Sequence, residues 1–155
     1  MDEHSQGVMV ALRPITSEWS TLALPHLTLV YAGQKAELKP TDFNELAKVA
    51  ASISMETPPI TLYTKGINQF GEEGQEVDVI QLMVTPTLMK MRQRLVEWNK
   101  SVWPFNPHVT IGPAGSYKSE MEIPRSIAFD RILVKWGEEE INFWLRPLSP
   151  VFEGG

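Results

Sequence analysis

Short apolar runs and stretches of alternating apolar and polar positions predict short strands along most of the chain. Seven stretches carry one of these patterns, with β-branched or aliphatic residues inside and proline or glycine near many of their ends: residues 8–14, 25–33, 57–66, 77–84, 107–113, 127–137 and 139–147. A tight turn near Gly137 would join the last two as a hairpin. Residues 67–76, which hold two glycines, are predicted to form a loop.

Two further stretches place apolar residues at helical spacing. Residues 39–55 have Thr41 as the expected N-cap, and residues 85–101 have Thr85 as N-cap and Pro86 at the first helical position. The apolar stripe of the first helix is Phe43, Leu46, Val49, Ala50 and Ile53, and that of the second is Leu88, Met91, Leu95 and Trp98. Each helix is therefore expected to bury one face.

Strands and helices mix without the strict alternation of a doubly wound sheet, which predicts an α+β fold. A near-repeat divides the chain, since Pro-His-aliphatic-Thr-aliphatic occurs as PHLTL at residues 25–29 and as PHVTI at residues 107–111. The copies lie about half the chain apart, and each half has one clear amphipathic helix. We expect one domain, residues 1–155, made of two pseudo-symmetric lobes with one copy in each.

Composition narrows the class of protein. The chain has 155 residues, of which 43% are hydrophobic and 21% charged, as is typical of one soluble globular domain. Its net charge of −5 argues against coating long nucleic acid, which needs a basic surface, but not against a small anionic substrate in a locally positive pocket. Without cysteine, a signal-peptide pattern or a long apolar run, we expect no disulfide and no membrane contact, and a cytoplasmic location. The sequence leaves the oligomeric state open.

The repeated His-x-Thr pairs concentrate reactive groups on one face of each strand. Residues two apart in a strand project from the same face, so His26 points with Thr28 and His108 with Thr110. If the lobes turn these faces toward each other, two imidazoles and two hydroxyls line one cleft. One neutral imidazole could accept a proton and one imidazolium donate a proton, while the hydroxyls bind phosphate oxygens. The set suits phosphoryl transfer and needs neither a metal nor a cofactor.

Two plainer explanations of the histidines stay open. A histidine in a strand is more often structural than catalytic, although packing gains nothing from repeating the whole five-residue pattern. A metal site is the second explanation, but two histidines without Asp, Glu or Cys in either copy are few ligands for zinc. The third histidine, His4, lies in a polar N-terminal stretch and is expected to be solvated.

These features resemble the 2H phosphoesterases, the LigT-like superfamily named for two His-x-[Ser/Thr] motifs. The resemblance rests on PHLTLVYAG and PHVTIGPAG, and on the strand–loop–strand–helix layout between them. It implies a bilobed α+β fold, with two antiparallel-type sheets flanked by helices around a central cleft. It also implies metal-independent phosphodiesterase chemistry on 2′,3′-cyclic phosphates, 2′–5′ linkages or related cyclic nucleotides. His26 and His108 would be the acid–base pair, and Thr28 and Thr110 the phosphate-oxygen binders.

Members of that superfamily include enzymes that destroy nucleotide messengers, some of them encoded by viruses to blunt host immunity. The substrate implied here is a small nucleotide or short oligonucleotide. Phe70, Tyr117 and Lys118, all in predicted loops, are candidates to stack on a base or pair with a phosphate. Tyr31 is a fourth candidate, although alternation places it with the core-facing leucines of its strand.

Three other features have structural interpretations. Trp103 and Phe105 are expected to anchor the turn into the second motif, and the acidic run 138–140 to form a solvated hairpin turn. The alternative to an enzyme is a non-catalytic module that binds a nucleotide or RNA through the same cleft.

Overall fold

The computed structural model describes residues 6–146, which form seven strands and two α-helices. The strands are β1 (Gly7–Pro14), β2 (Leu27–Gln34), β3 (Ile60–Phe70), β4 (Val77–Leu82), β5 (His108–Pro113), β6 (Ser126–Trp136) and β7 (Glu139–Trp144). The helices are α1 (Pro40–Glu56) and α2 (Pro86–Gln93), and 3₁₀ turns at Lys35–Glu37 and Val96–Trp98 follow β2 and α2. His4 lies outside the described residues.

The strands pair antiparallel in one open sheet, in the order β2-β1-β6-β3-β4-β5, with β7 also paired to β6. The predicted α+β class is confirmed. The two predicted sheets are halves of this one sheet, because β3 pairs with β6 through residues 60–63 and with β4 through residues 64–70. The long strand β3 therefore joins the half that carries the first motif to the half that carries the second.

Helix α1 packs on the first half of the sheet, against β6 and β7. Leu46, Ala50 and Ile53 are buried, as the apolar stripe predicts. Phe43 packs against Trp136 of β6 with the ring centroids 5.3 Å apart. This burial leaves the opposite face of the same half-sheet for other groups.

The predicted N-cap of α1, Thr41, is wrong. The helix begins at Pro40, and the backbone N–H of Lys39 donates to the Asp42 carboxylate at 2.8 Å. Proline has no N–H and fits the first turn of a helix, where that donor would have no intrahelical partner. The proline therefore starts the helix two residues earlier than a Thr41 cap would.

Helix α2 starts as predicted but ends early. The Thr85 hydroxyl accepts from the Leu88 N–H at 3.2 Å, and Pro86 occupies the first turn. The α-helix ends at Gln93 and gives way to the 3₁₀ turn Val96–Trp98, so it is shorter than the predicted 85–101. The buried stripe still runs on through Leu88, Met91 and Leu95.

Two turns complete the sheet. β3 continues to Phe70 because residues 67–70 pair with β4, so the loop predicted from residue 67 begins later. The hairpin between β6 and β7 is confirmed, and Gly137 has a φ of 65°, which glycine adopts without strain. Neither helix in the described part of the chain has the length and apolar character needed to cross a membrane.

Candidate active site

The strands that carry the two motifs, β2 and β5, end the sheet path at opposite sides, yet they approach within 8 Å between Cα atoms. The segment between β1 and β2 bridges them. The Thr21 N–H donates to the Ile111 carbonyl at 2.7 Å, and the Ser20 hydroxyl donates to the Thr110 carbonyl at 2.8 Å. β5 is thereby tied to the segment that leads into His26.

A cavity of about 610 Å³ lies between these strands, within the size range of small-molecule sites. Thr28 of the first motif and His108 of the second both line it. His26 and Thr110 do not line it, and both are half-buried. Because residues two apart in extended backbone share a face, His26 lies beside Thr28 and Thr110 beside His108. The structure thus brings one residue of each motif, Thr28 and His108, to the cavity, and strand alternation places the other residue of each motif on the same face.

Tyr31 also lines the cavity, which is not the side that simple alternation assigns to it. In the β1–β2 ladder, Thr28 lies opposite Ala11 and Tyr31 lies opposite Met9. Met9 and Ala11 are two positions apart in β1, whereas their partners Tyr31 and Thr28 are three positions apart in β2. A β-bulge at Leu29 therefore adds one residue to β2. Ala11 and Met9 share a face. Tyr31 therefore shares the cavity face of Thr28.

His108 is held by one hydrogen bond and one aromatic contact. Its Nδ1 atom lies 2.7 Å from the backbone carbonyl oxygen of Asn106. Phe70, which also lines the cavity, meets the imidazole edge-on at a centroid distance of 4.8 Å. A carbonyl only accepts, so Nδ1 carries the proton and Nε2 of the neutral ring keeps the lone pair. Burial lowers the pKa of His108, and the Asn106 hydrogen bond offsets part of that effect.

His26 has a similar environment. Burial, followed by the charge of Arg13, lowers the pKa of His26. A hydrogen bond with the Leu24 carbonyl raises that pKa, Glu140 raises it further, and Lys135 lowers it, with a net shift below the ordinary value. Both histidines are therefore biased toward the neutral form.

The Pro-His repeat has a local structural reason. In each motif the histidine contacts the carbonyl of the residue two positions earlier, Leu24 for the first motif and Asn106 for the second. Pro25 and Pro107 stand between histidine and carbonyl, and both are buried. Proline drives the preceding residue into extended backbone. The same sequence therefore sets a carbonyl acceptor beside each ring.

The sequence profile described as the 2′-5′ RNA ligase superfamily matches residues 6–144. The chain belongs to this superfamily. The predicted resemblance to LigT-like 2H phosphoesterases is thereby confirmed, and membership supports a phosphoesterase with an RNA-related role. No curated protein matches the chain.

Solved structures share the superfamily fold at low identity. Usb1 of Kluyveromyces marxianus aligns with a TM-score of 0.65 at 11% identity, covering 91% of this chain and 99% of Usb1. E. coli LigT complexed with NADP+ aligns with a TM-score of 0.55 at 17% identity, covering 91% and 95% of the two chains. A protein described as a phosphoesterase aligns with a TM-score of 0.53 at 17% identity, covering 91% and 96%. At these identities the similarity concerns the fold.

An ion pair beside the first superfamily motif was missed from the sequence. Arg13, only 3% exposed, donates to the Leu24 and Pro25 carbonyls at 2.8 and 3.0 Å and to the Glu140 carboxylate at 2.6 Å. These bonds fix the backbone that ends in His26. A charged residue in an otherwise apolar strand was the available signal, but its partner depends on the β1–β6–β7 register.

The expectation that residues 138–140 form only a solvated turn is therefore wrong for Glu140. Its carboxylate also accepts from the Asn142 amide at 2.9 Å. Burial alone raises the pKa of Glu140, but the hydrogen bonds from Arg13 and Asn142 bring it below its ordinary value. An ionised carboxylate thus faces the buried guanidinium.

Tyr117 and Lys118, two predicted substrate contacts, do not line the cavity. The Asp78 carboxylate accepts from the backbone N–H groups of Gly115 and Tyr117 at 3.0 and 2.8 Å, which holds the loop after β5. The Tyr117 side chain packs against the hydrophobic core, and Lys118 is exposed. The other two predicted contacts, in β2 and β3, do line the cavity. Within residues 6–146 no cluster of three or more potential metal ligands occurs.

Two cavity residues, one in α2 and one in the segment between α2 and β5, were not assigned to the site from the sequence. Arg92 lines the cavity, and its position beside the apolar stripe of α2 was the only signal. Trp103 was expected to anchor the turn into the second motif, but it is 75% exposed and lines the cavity. Phe105 packs against the core, as an anchor would.

Proposed function

We propose that this protein is a phosphodiesterase that hydrolyses 2′,3′-cyclic phosphates, 2′–5′ linkages or cyclic nucleotides by histidine acid–base catalysis without a metal. One observation carries the proposal: His108 and Thr28, from opposite ends of the sheet, line one cavity, and the Asn106 carbonyl occupies Nδ1 of His108. The Nε2 atom is then the nitrogen available to exchange a proton with a ligand.

The chemistry follows from two imidazoles and two hydroxyls. One neutral histidine removes a proton from water as the oxygen attacks phosphorus. The other, as imidazolium, gives its proton to the ribose oxygen as the phosphorus–oxygen bond breaks. A 2′,3′-cyclic phosphate thereby takes up one water and becomes a phosphomonoester. Thr28 and Thr110 donate to the non-bridging oxygens, where negative charge accumulates.

Three features support a short nucleotide as the substrate. The net charge is −5, which disfavours long nucleic acid. The cavity volume of about 610 Å³ suits a small molecule. E. coli LigT has the same fold, with a TM-score of 0.51 at 18% identity, and has been crystallised with 3′-AMP. Nucleotide messengers such as 2′–5′ oligoadenylate and cyclic dinucleotides fall within this class, and their degradation is the finer form of the proposal.

A substrate panel tests the proposal. 2′,3′-cyclic nucleotides, 2′–5′ oligoadenylate and cyclic dinucleotides are incubated with the protein in EDTA, and products are separated by chromatography. We expect turnover of at least one, and losses of roughly 10²–10⁴-fold for His26→Ala and for His108→Ala. His4→Ala, outside both motifs, is the matched control. No turnover of any compound by folded protein would reject the enzyme, and retained nucleotide affinity in both alanine variants would then favour the binding module.

A further inference from the structure

Arg92 is fixed in the cavity by two contacts. Its Nε atom donates to the Leu29 carbonyl at 3.1 Å. Its guanidinium carbon lies 4.5 Å from the centroid of the Phe105 ring, in cation–π geometry. The side chain is half-buried and lines the cavity. A guanidinium held in this way loses little conformational freedom when it binds a ligand.

The two contacts leave the ligand-binding end of Arg92 available. Within residues 6–146, its Nη1 and Nη2 atoms donate no hydrogen bond to a protein acceptor. Arg92 is also the one lysine or arginine among the described residues that line the cavity, where Glu72 is the one carboxylate. A guanidinium with its paired N–H groups unoccupied matches the geometry of a phosphate, which it can bind with two parallel hydrogen bonds.

The location of Arg92 differs from that of the His-x-Thr groups. β2 is a terminal strand, and its outer edge is covered by the α2 region: Arg92 bonds the Leu29 carbonyl, and the Lys100 N–H donates to the Tyr31 carbonyl at 2.8 Å. The motif side chains project instead from the face of the strand. Arg92 is therefore displaced sideways from the catalytic face.

Arg92 is nevertheless close to the second motif. It lies over Phe105, and Phe105 precedes His108 by three residues. Three residues of extended chain span at most about 10 Å. The guanidinium is thus near the reacting centre but offset from it, which is the relation expected between neighbouring phosphates of one nucleotide chain.

We propose that Arg92 binds a second phosphate of the substrate, the one next to the phosphate that is cleaved. This inference rests on the proposed function and narrows it. The preferred substrate carries two phosphates separated by a sugar, as in a dinucleotide, a longer oligonucleotide or a cyclic dinucleotide. A nucleoside 2′,3′-cyclic monophosphate lacks the group that Arg92 would bind and is the poorer substrate.

Paired substrates test this directly. Values of kcat/KM are measured for adenosine 2′,3′-cyclic phosphate and for adenylyl-adenosine ending in the same cyclic phosphate. In Arg92→Gln the ratio of dinucleotide to mononucleotide activity should fall roughly 10- to 100-fold, as expected for the loss of charge-assisted hydrogen bonds. Arg92→Lys should keep part of the preference for the dinucleotide. Arg94→Gln is the matched control, since Arg94 is exposed, does not line the cavity and pairs with Glu56 at 2.7 Å. A loss shared equally by both substrates, or no loss, overturns the proposal.

Binding without turnover separates this proposal from the proposed function. Affinities for adenosine 3′,5′-bisphosphate and for 3′-AMP are measured by calorimetry at two salt concentrations. The bisphosphate should bind the unmodified protein at least tenfold more tightly, and Arg92→Gln should remove that advantage, with thermal unfolding showing that the variant is folded. Equal affinities reject the second phosphate site and leave the phosphodiesterase standing. A preference for the bisphosphate in a protein without turnover would keep the site and reject the enzyme.

Discussion

The Nδ1 atom of His108 and the carbonyl oxygen of Asn106 lie 2.7 Å apart, which fixes both the rotation and the tautomer of the ring. A hydrogen bond with the Leu24 carbonyl likewise acts on His26 and raises its pKa. A backbone carbonyl is a constant acceptor that does not titrate. The second Pro-His motif therefore holds an imidazole with Nδ1 bound and Nε2 free to exchange a proton.

This relationship predicts a single tautomer. In nitrogen-15 spectra recorded above the histidine pKa, Nδ1 of His108 should show the shift of a protonated nitrogen and Nε2 that of an unprotonated one. The spectrum of His108→Ala identifies the resonances by their disappearance. Averaged shifts for the two nitrogens, as in a freely exchanging imidazole, would contradict the assignment.

Burial lowers the pKa of both histidines, and this predicts an acidic optimum for kcat/KM. The working state needs one neutral and one protonated ring, which is most populated between the two pKa values, and both lie below the ordinary value of about 6.5. A bound phosphate anion favours imidazolium, so the optimum of kcat should lie at higher pH. Initial rates from pH 5 to 9 measure both profiles. A flat profile over this range rules out the two-histidine mechanism.

The same shifts make folding depend on pH. Each histidine binds its proton more weakly in the folded than in the unfolded chain, so the unfolded state takes up more protons as the pH falls below about 6.5. The free energy of unfolding that comes from the neutral rings is fully present above that pH. It decreases as the pH falls from about 6.5 through the pKa values of the folded protein. Tm should therefore fall between pH 7.5 and 5.5. The double variant His26→Ala/His108→Ala should show a shallower fall, and an unchanged slope would contradict this account.

The motif chemistry could be read from the sequence because strand alternation is local. His108 and Thr28 line one cavity, and each motif needed only a two-residue period to be recognised. Tyr31 shows where that period fails: the bulge at Leu29 depends on pairing with β1, which no local pattern reports. A single inserted residue moved Tyr31 from the predicted core side to the cavity.

The other residues missed from the sequence meet only through the packing of segments that are distant in the chain. Arg13 and Glu140 are 127 positions apart and meet only because β1 and β7 both flank β6. The offset of Arg92 at the edge of β2 likewise depends on how α2 packs. The start of α2 follows local rules, because Pro86 and the apolar stripe agree with the Thr85 cap, whereas the start of α1 at Thr41 was predicted wrongly. A single sequence does not show which of its distant segments come into contact.

The Arg13–Glu140 pair predicts a positioning role. Glu140→Gln removes the charge that balances a buried guanidinium, and we expect it to lower stability by about 1–3 kcal/mol. It also removes a charge that raises the pKa of His26, so the limb of the pH–rate profile that belongs to His26 should move to lower pH. Glu139→Gln, the exposed neighbour on β7, is the matched control. A loss of stability with an unmoved pH profile would make the pair purely structural.

Trp103 predicts a contribution to substrate affinity rather than to the chemical step. Its indole is 75% exposed although it lines the cavity, so packing in the fold does not account for it. Stacking of a base on an aromatic ring contributes about 1–3 kcal/mol. Trp103→Ala should therefore raise KM by roughly 5- to 150-fold with a smaller change in kcat. Val102→Ala is the matched control, since Val102 is 89% exposed and is not among the cavity residues. Because the native indole is already solvated, Tm should change little, and a large fall in Tm or in kcat alone would show that Trp103 supports the turn into the second motif instead.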